Sequence, residues 1–371
     1  MTKNRIIMEF PPAQPFSYHV GEGVLDSLGD ALREGAPTST RALVISDSNV
    51  APLYGARVRE QLGRAGIRVD EICIPAGETS KSLAVAGEIW QAMAQLGVDR
   101  QTLVVAVGGG VVSDLAGFVA ATYLRGIPWA VVPTSLLAMV DAAIGGKTAI
   151  DLEQGKNLVG AFYQPVCICA DTACLATLPE RERRSGFGEV AKTALLDAGN
   201  LFFTLDAATS HERCDAAFLG DIVTSCALVK ASVVADDPYE QYGLRECLNL
   251  GHTYGHALEL LGGFGVLSHG ECVAEGIRFA AFASQHILDV DADFIAAQGL
   301  LLDKLELPEK RMRFALDDTM RALRADKKRR HGVNRLVMVR DLGQWVVEEL
   351  ADDEIARLLD AWFKRKDAHV D

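Results

Sequence analysis

Short apolar runs alternate with segments of helical spacing through the first half of the chain. "RALVIS" (41–46) is a β-rich run, followed by the helical pattern "VAPLYGARVREQLGRAG". "IRVDEICIP", "TLVVAV", "WAVVPT" and "VCICAD" (166–171) repeat the theme, with "SLAVAGEIWQAMAQLG", "VVSDLAGFVAATYLRG" and "SLLAMVDAAIGG" as helical segments between them. This rhythm predicts a parallel sheet with helices on its faces. After about residue 172 the rhythm changes. "ERERRSGFGEVAKTALLDAG", "DIVTSCALVKASVVADD", "LNLGHTYGHALELLG" and "CVAEGIRFAAFASQHIL" all carry helical periodicity with few strand candidates between them. A late pair, "RLVMVRD" and "QWVVEEL", reads as a small hairpin before a final helix, "DDEIARLLDAWFKR". The expectation is an α/β unit over 1–172 and a mainly α-helical unit over 173–371. No repeat or Gly/Ser linker separates them, so the halves pack closely and the cleft between them is the default ligand site.

Composition narrows the function classes. The chain has 371 residues, 49% of them hydrophobic and 23% charged, as in a soluble globular protein. A net charge of −13 argues against a nucleic-acid or anionic-membrane partner, which needs a basic face. A small anionic ligand stays open, because a few lysines suffice for a local basic pocket. The eight cysteines include no C-x-x-C pair and read as free thiols of a reducing compartment. "MTKNRIIMEFPPAQ" lacks the apolar core of a signal peptide, and the run "WAVVPTSLLAMVDAAIGG" is broken by Pro133 and Asp141. A cytoplasmic, soluble protein is expected.

Four stretches carry candidate chemistry. In "TLVVAVGGGVVSDLAG", Gly108, Gly109 and Gly110 fall between a strand and a helix, where bare backbone can approach a diphosphate. The third glycine of the dinucleotide fingerprint is Ser113, so a plain tight turn reads equally well. "VDAAIGGKTAI" and "GKNLVG" place Asp141, Lys147 and Asn157 around glycines, where a lysine can hold phosphate or sit solvated. Glu189 and Lys192, three apart in "GFGEVAKTALL", read alone as an ordinary surface ion pair. His252 and His256 lie four apart, so about 40° apart on a helix, and can face one site. The intervening Thr253, Tyr254 and Gly255 supply no glutamate base, which argues against a zinc peptidase. His269 follows thirteen residues after His256, and three of the chain's eight histidines fall within eighteen residues. With a carboxylate from elsewhere they suit a zinc site with an open position; packed or capping histidines are the alternative.

In order, "GGGVVSDLAGF", "RGIPWAVVPTSLLAMVDAAIGGKTAI", "GKNLVGAFYQP", "TLPERE", "GEVAK", "GLRECLNLGHTYGHALE" and "HGECVAEG" resemble the dehydroquinate synthase family of sugar-phosphate cyclases. The resemblance covers about residues 41–330. It implies a Rossmann-like N-terminal domain that binds NAD, a helical C-terminal domain and one divalent metal, zinc or cobalt. It implies a metal held by Glu189, His252 and His269, with His256 moved to a catalytic position near the substrate phosphate. Lys147, Asn157, Lys192, Lys230, Arg245 and Asn249 match positions that hold a sugar phosphate, with Asp141 nearby and Lys328 (or Lys327) as a further phosphate lysine. Asp47, Glu78, Lys81, Gly109, Gly110, Asp114 and Thr134 match nucleotide positions. The implied reaction converts 3-deoxy-D-arabino-heptulosonate 7-phosphate to 3-dehydroquinate and phosphate, with no net redox change. A homodimer is common in the family and is expected here.

Two departures stand out: Ser113, and one extra residue in "KASVVADDPYEQYGLR", between Lys230 and Arg245. The rivals are cyclases for an aminated analogue, for sedoheptulose 7-phosphate (the 2-epi-5-epi-valiolone synthase type) or for glucose 6-phosphate, a metal-dependent alcohol dehydrogenase, and a catalytically silent binding protein. Intact "GGKT" with Arg245 and Asn249 favours a carboxylate-bearing substrate.

Overall fold

The computed structural model describes residues 16–263, 265–325 and 333–368. Six strands form one parallel sheet: β1 (Ser17–Gly21), β2 (Arg41–Asp47), β3 (Arg68–Ile74), β4 (Leu103–Gly108), β5 (Trp129–Pro133) and β8 (Cys167–Asp171). Their order is β1-β8-β5-β4-β2-β3. The four central strands, β2, β4, β5 and β8, are buried on both faces, which explains their apolar runs in the sequence. Ala42 and Val44 of β2 pack with Leu28 and Leu62 on one side of the sheet. Leu43 and Ile45 pack with Val112 and Leu115 on the other, as the twofold strand period requires. The helices are α1 (Leu28–Gly35), α2 (Ala56–Arg64), α3 (Leu83–Leu96) and α4 (Gly110–Thr122).

Between β5 and β8 the chain makes an antiparallel hairpin, β6 (Lys147–Leu152) and β7 (Gly155–Phe162). The sequence pattern did not mark it, because its residues are glycine-rich and half exposed. It lies against α4: a Cβ on Gly117 would stand 2.4 Å from Thr148 Cγ2. The helical pattern "SLLAMVDAAIGG" yields only a short wide-turn segment, Ala138–Ala142, before Gly145 and Gly146 turn at positive φ.

The second half is helical: α5 (Glu180–Leu196), α6 (Asn200–Ala207), α7 (Ala216–Asp236), α8 (His252–Gly262), α9 (His269–Leu288), α10 (Ala292–Lys304), α11 (Leu316–Ala325) and α12 (Asp352–Ala368). The expected late hairpin is present as β9 (Asn334–Asp341) and β10 (Gln344–Leu350). α8 starts at His252 because Gly251, at φ 79°, breaks it from the preceding 3₁₀ turn, Leu244–Asn249. α7 is long and apolar enough to cross a membrane, but Ile222, Val223 and Cys226 on it belong to the buried core.

One hydrophobic core spans both halves. It joins Leu136, Met139, Val140 and Ala170 to Phe187, Val190, Leu219 and Val337. Around it, α5, α8 and α9 approach main chain to main chain. A Cβ on Gly276 would fall 1.7 Å from the Gly251 carbonyl oxygen, and one on Gly270 1.9 Å from that of Ser185. Gly188 stands against Gly270 in the same way, its Cβ position 2.5 Å from the Gly270 carbonyl oxygen.

Candidate functional site

β2 lies between β3 and β4, so the chain changes direction across the sheet beside it. Ligands of open parallel sheets bind outside the strand ends at such a point. Asp47 ends β2, and its Oδ1 accepts from the Asn49 and Val50 amides at 2.8 and 3.0 Å. Gly109 and Gly110 open α4 just beyond β4, and Thr134 follows β5, its amide donating to the Gly108 carbonyl at 2.9 Å. Cβ positions at Gly109 and Gly110 meet nothing nearer than 3.4 and 3.5 Å, so side chains there would fill the space over the helix N-terminus. Ser113 leaves that space alone: it is buried, and its hydroxyl donates to the Gly110 carbonyl at 2.9 Å.

Across the turn, buried Lys81 donates to Asp114 Oδ2 at 2.5 Å and to Asn157 Oδ1, with Glu78 and Asp151 each at 4.0 Å. Burial alone would lower the Lys81 pKa, but these carboxylates raise it above the ordinary value. Asn157 is at φ 57° and donates its amide to Asp151 at 2.8 Å. The structure therefore groups Asn157 with the nucleotide candidates, apart from Lys192 and Lys230.

The second cluster centres on Asp141. Its Oδ1 lies 3.3 Å from Lys192 Nζ and 2.8 Å from Lys230 Nζ, and Lys230 also donates to the Asp141 carbonyl at 2.6 Å. Despite burial, the two ammonium groups hold the Asp141 carboxyl far below the usual range. Burial and the neighbouring Lys192 and Lys147 charges push Lys230 down to about 8, against the pull of Asp141. Lys230 reaches the cluster from within α7. Lys147 contacts Glu240. Arg245 is 1% exposed, with Nη1 donating to the Pro238 carbonyl at 2.9 Å. Its Nε and Nη2 are buried with no hydrogen-bond partner among the described residues.

Glu189, His252 and His269 come together beside this cluster, their ligand atoms all within 4.8 Å of one another. Glu189 Oε1 is 3.4 Å from His252 Nε2 and 3.0 Å from His269 Nε2, and its other oxygen contacts Lys192. Glu189 and Lys192 are each 1% exposed, which overturns their reading as a surface pair. Helical spacing shows that two residues share a face; here that face is inside. His252 Nδ1 faces the Leu250 carbonyl at 3.1 Å, and His269 Nδ1 faces Glu259 at 3.0 Å. Burial opposes the imidazolium of His269, but the flanking Glu189 and Glu259 raise its pKa to about 10. His256 stacks edge-on to His252, ring centroids 5.3 Å apart, outside the three-ligand group.

Asn249 ends the 3₁₀ turn carrying Arg245. Lys328 and Lys327 lie outside the described residues. Two further acidic residues were missed in the sequence. Glu240 sits between α7 and the 3₁₀ turn at φ 55°, with no spacing signal. Glu259 was accessible: it follows His252 by seven residues, two turns along the same helix face.

Comparison with known proteins agrees with this geometry. Residues 71–185 match the family described as 3-dehydroquinate synthase N-terminal, and residues 186–329 its C-terminal counterpart. A 3-dehydroquinate synthase of Symbiobacterium thermophilum is 45% identical over 342 residues, covering 90% of this chain and 93% of its own. Among solved structures, a 2-deoxy-scyllo-inosose synthase with carbaglucose-6-phosphate, NAD+ and Co2+ superposes with a TM-score of 0.84 at 28% identity, covering 93% of this chain and 96% of its own. A 2-epi-5-epi-valiolone synthase from Streptomyces hygroscopicus subsp. jinggangensis, with NAD+ and Zn2+ bound, gives 0.86 at 26% identity, covering 97% of this chain and all of its own. Matched along both halves and across nearly its whole length, the chain belongs to the 3-dehydroquinate synthase family.

Proposed function

We propose that this chain is an NAD- and divalent-metal-dependent lyase. It converts 3-deoxy-D-arabino-heptulosonate 7-phosphate to 3-dehydroquinate and phosphate, the step of the shikimate route to aromatic amino acids that closes the carbocycle. The observation that carries the choice of substrate is buried Arg245, whose Nε and Nη2 have no hydrogen-bond partner among the described residues, the nearest carboxylate oxygen, of Glu240, standing 3.9 Å from Nε. A planar carboxylate accepts two parallel hydrogen bonds from such a group. Sedoheptulose 7-phosphate and glucose 6-phosphate have no carboxylate and would leave Nε and Nη2 without a hydrogen bond, at a cost that rejects them.

The residues fit both cofactors. Two imidazole nitrogens and one carboxylate oxygen, converging from three helices, are a donor set for zinc or cobalt. The open cradle at Gly109 and Gly110, with Asp47, Thr134 and the Lys81–Asp114–Glu78 group around it, suits a dinucleotide. When bound, NAD supplies a hydride acceptor that returns the hydride, and the metal supplies a Lewis acid at the oxygen being oxidised.

The chain's own side chains do the rest. Lys147 and Arg245 bind the anionic end of the substrate. Lys192 and Lys230, pinned by Asp141, present fixed positive charge towards its hydroxyls and phosphate. Asn249 and His256 complete the pocket, and His256 is placed to hold the phosphate or move a proton beside it. Asn157, hydrogen-bonded to Lys81, contacts the sugar phosphate from the nucleotide side in this reading. Holding one flexible sugar phosphate through several steps makes positioning a large part of the rate gain. In this reading residues 1–172 carry the nucleotide and 173–371 the metal and most of the substrate contacts, in a cytoplasmic homodimer.

Phosphate release from 3-deoxy-D-arabino-heptulosonate 7-phosphate tests the reading. Release that requires NAD and zinc without NADH accumulating is the expected result. Accumulating NADH would point to a dehydrogenase, and release from sedoheptulose 7-phosphate alone would sink the carboxylate assignment.

A further inference from the structure

The two histidines of the metal cluster are held in different ways. Each presents Nε2 towards Glu189 and has its Nδ1 engaged on the far side of the ring. For His252 the Nδ1 partner is a neutral main-chain carbonyl, Leu250, supplied by its own turn. For His269 the partner is the Glu259 carboxylate, 3.0 Å away and supplied by a different helix. Glu259 is largely buried, with 13% of its side chain exposed. The contact is therefore between a carboxylate oxygen and the ring of a candidate ligand.

A neutral imidazole carries one proton, and the nitrogen that holds it cannot bind a cation. An acceptor at Nδ1 fixes the proton there and leaves the Nε2 lone pair directed at the cluster. A charged acceptor does more than a neutral one: it draws on the N–H bond and makes the opposite nitrogen a stronger donor. His269 needs such an anchor more than His252 does. It is the first residue of α9, with one third of its side chain exposed, against 12% for His252.

We propose that Glu259 is a positioning residue of the metal centre, fixing the tautomer and orientation of the His269 ring and strengthening Nε2 as a ligand. This rests on the metal-centre reading above. Glu259 touches neither substrate nor cofactor in it and acts through His269.

The test is zinc affinity of the full-length protein by competition with a chromophoric chelator, together with the visible absorption of the cobalt form. Glu259→Ala is expected to weaken zinc binding about 10- to 100-fold and to shift the cobalt bands. Glu259→Gln keeps the size and the acceptor oxygen but not the charge, so it should retain band positions near those of the unaltered protein and lose affinity by a smaller factor. Because Glu259→Gln is isosteric, it answers the question even if Glu259→Ala does not fold. Unaltered protein that binds one zinc, with both variants binding it equally tightly and giving superimposable cobalt spectra, would overturn the role of Glu259 alone. Unaltered protein that binds neither ion would overturn the metal-centre reading and this inference together.

Discussion

Lys230 shows how the pocket sets the properties of one residue. It donates to both the carboxylate and the carbonyl of Asp141, yet burial and two neighbouring lysine charges bring its pKa down to about 8. The ordinary lysine value is about 10.4. Between the two values the unfolded chain binds more protons at this site than the folded one, so this group's contribution to stability becomes more favourable as pH rises across that window. Substrate binding moves the other way, since the pocket loses a positive charge as pH passes about 8. The KM for the sugar phosphate should therefore rise on the alkaline side. Lys230→Arg keeps its charge and should displace that limb to higher pH. Identical limbs in the two pH profiles would remove Lys230 from the substrate grip. At this scale the sequence was legible where family blocks anchored it. Glu240 and the burial of Glu189 and Lys192 were not, because local spacing says which residues are neighbours on a helix and nothing about what covers them.

At the scale of elements, the central strands could be read because a sheet covered on both faces demands apolar runs, whereas the half-buried edge strand β1 was not marked. The β6–β7 hairpin could not be read, since Leu158, Val159 and Phe162 are exposed between glycines and charged residues. Nor does periodicity reveal how helices approach. Glu189 follows Gly188, His252 follows Gly251 and His269 precedes Gly270, so each ligand stands next to a glycine in the main-chain contacts between α5, α8 and α9. A methyl group on Gly276 would have to displace the carbonyl of Gly251. Overpacking of this kind costs about 1–3 kcal/mol, and here the strain falls on backbone beside a ligand. Gly276→Ala should lower the denaturant midpoint and also weaken zinc binding. A variant with lowered stability and unchanged zinc affinity would show that the helices can separate without moving the ligands.

For the whole molecule, the change of pattern near residue 172 is real in the elements: the parallel sheet ends at Asp171 and helices follow. The apolar packing does not respect it. Leu136, Met139 and Val140 are buried in the same core as Phe187, Val190 and Ala191. Cutting the chain at residue 172 would bare that surface. Residues 1–172 expressed alone should aggregate or lack a cooperative melting transition, whereas the full chain should unfold in one step by calorimetry. A fragment that melts cooperatively and stays monodisperse would mean that the two halves fold independently. Alternating patterns along a sequence report layers, and only the packed chain shows that two layers share one interior.

The glycine contacts also divide the site by how it can change. The metal ligands are positioned by main chain pressed against main chain, where almost any added atom is resisted. The proposed anion grip of Lys147 and Arg245 is made of long side chains from the hairpin and a short turn, outside the glycine contacts of α5, α8 and α9. A scaffold built this way can be redirected to new sugar phosphates by altering a few side chains at one end of its pocket. The proposed metal site stays locked in the backbone, so new specificity is open to the scaffold at lower structural risk than new chemistry.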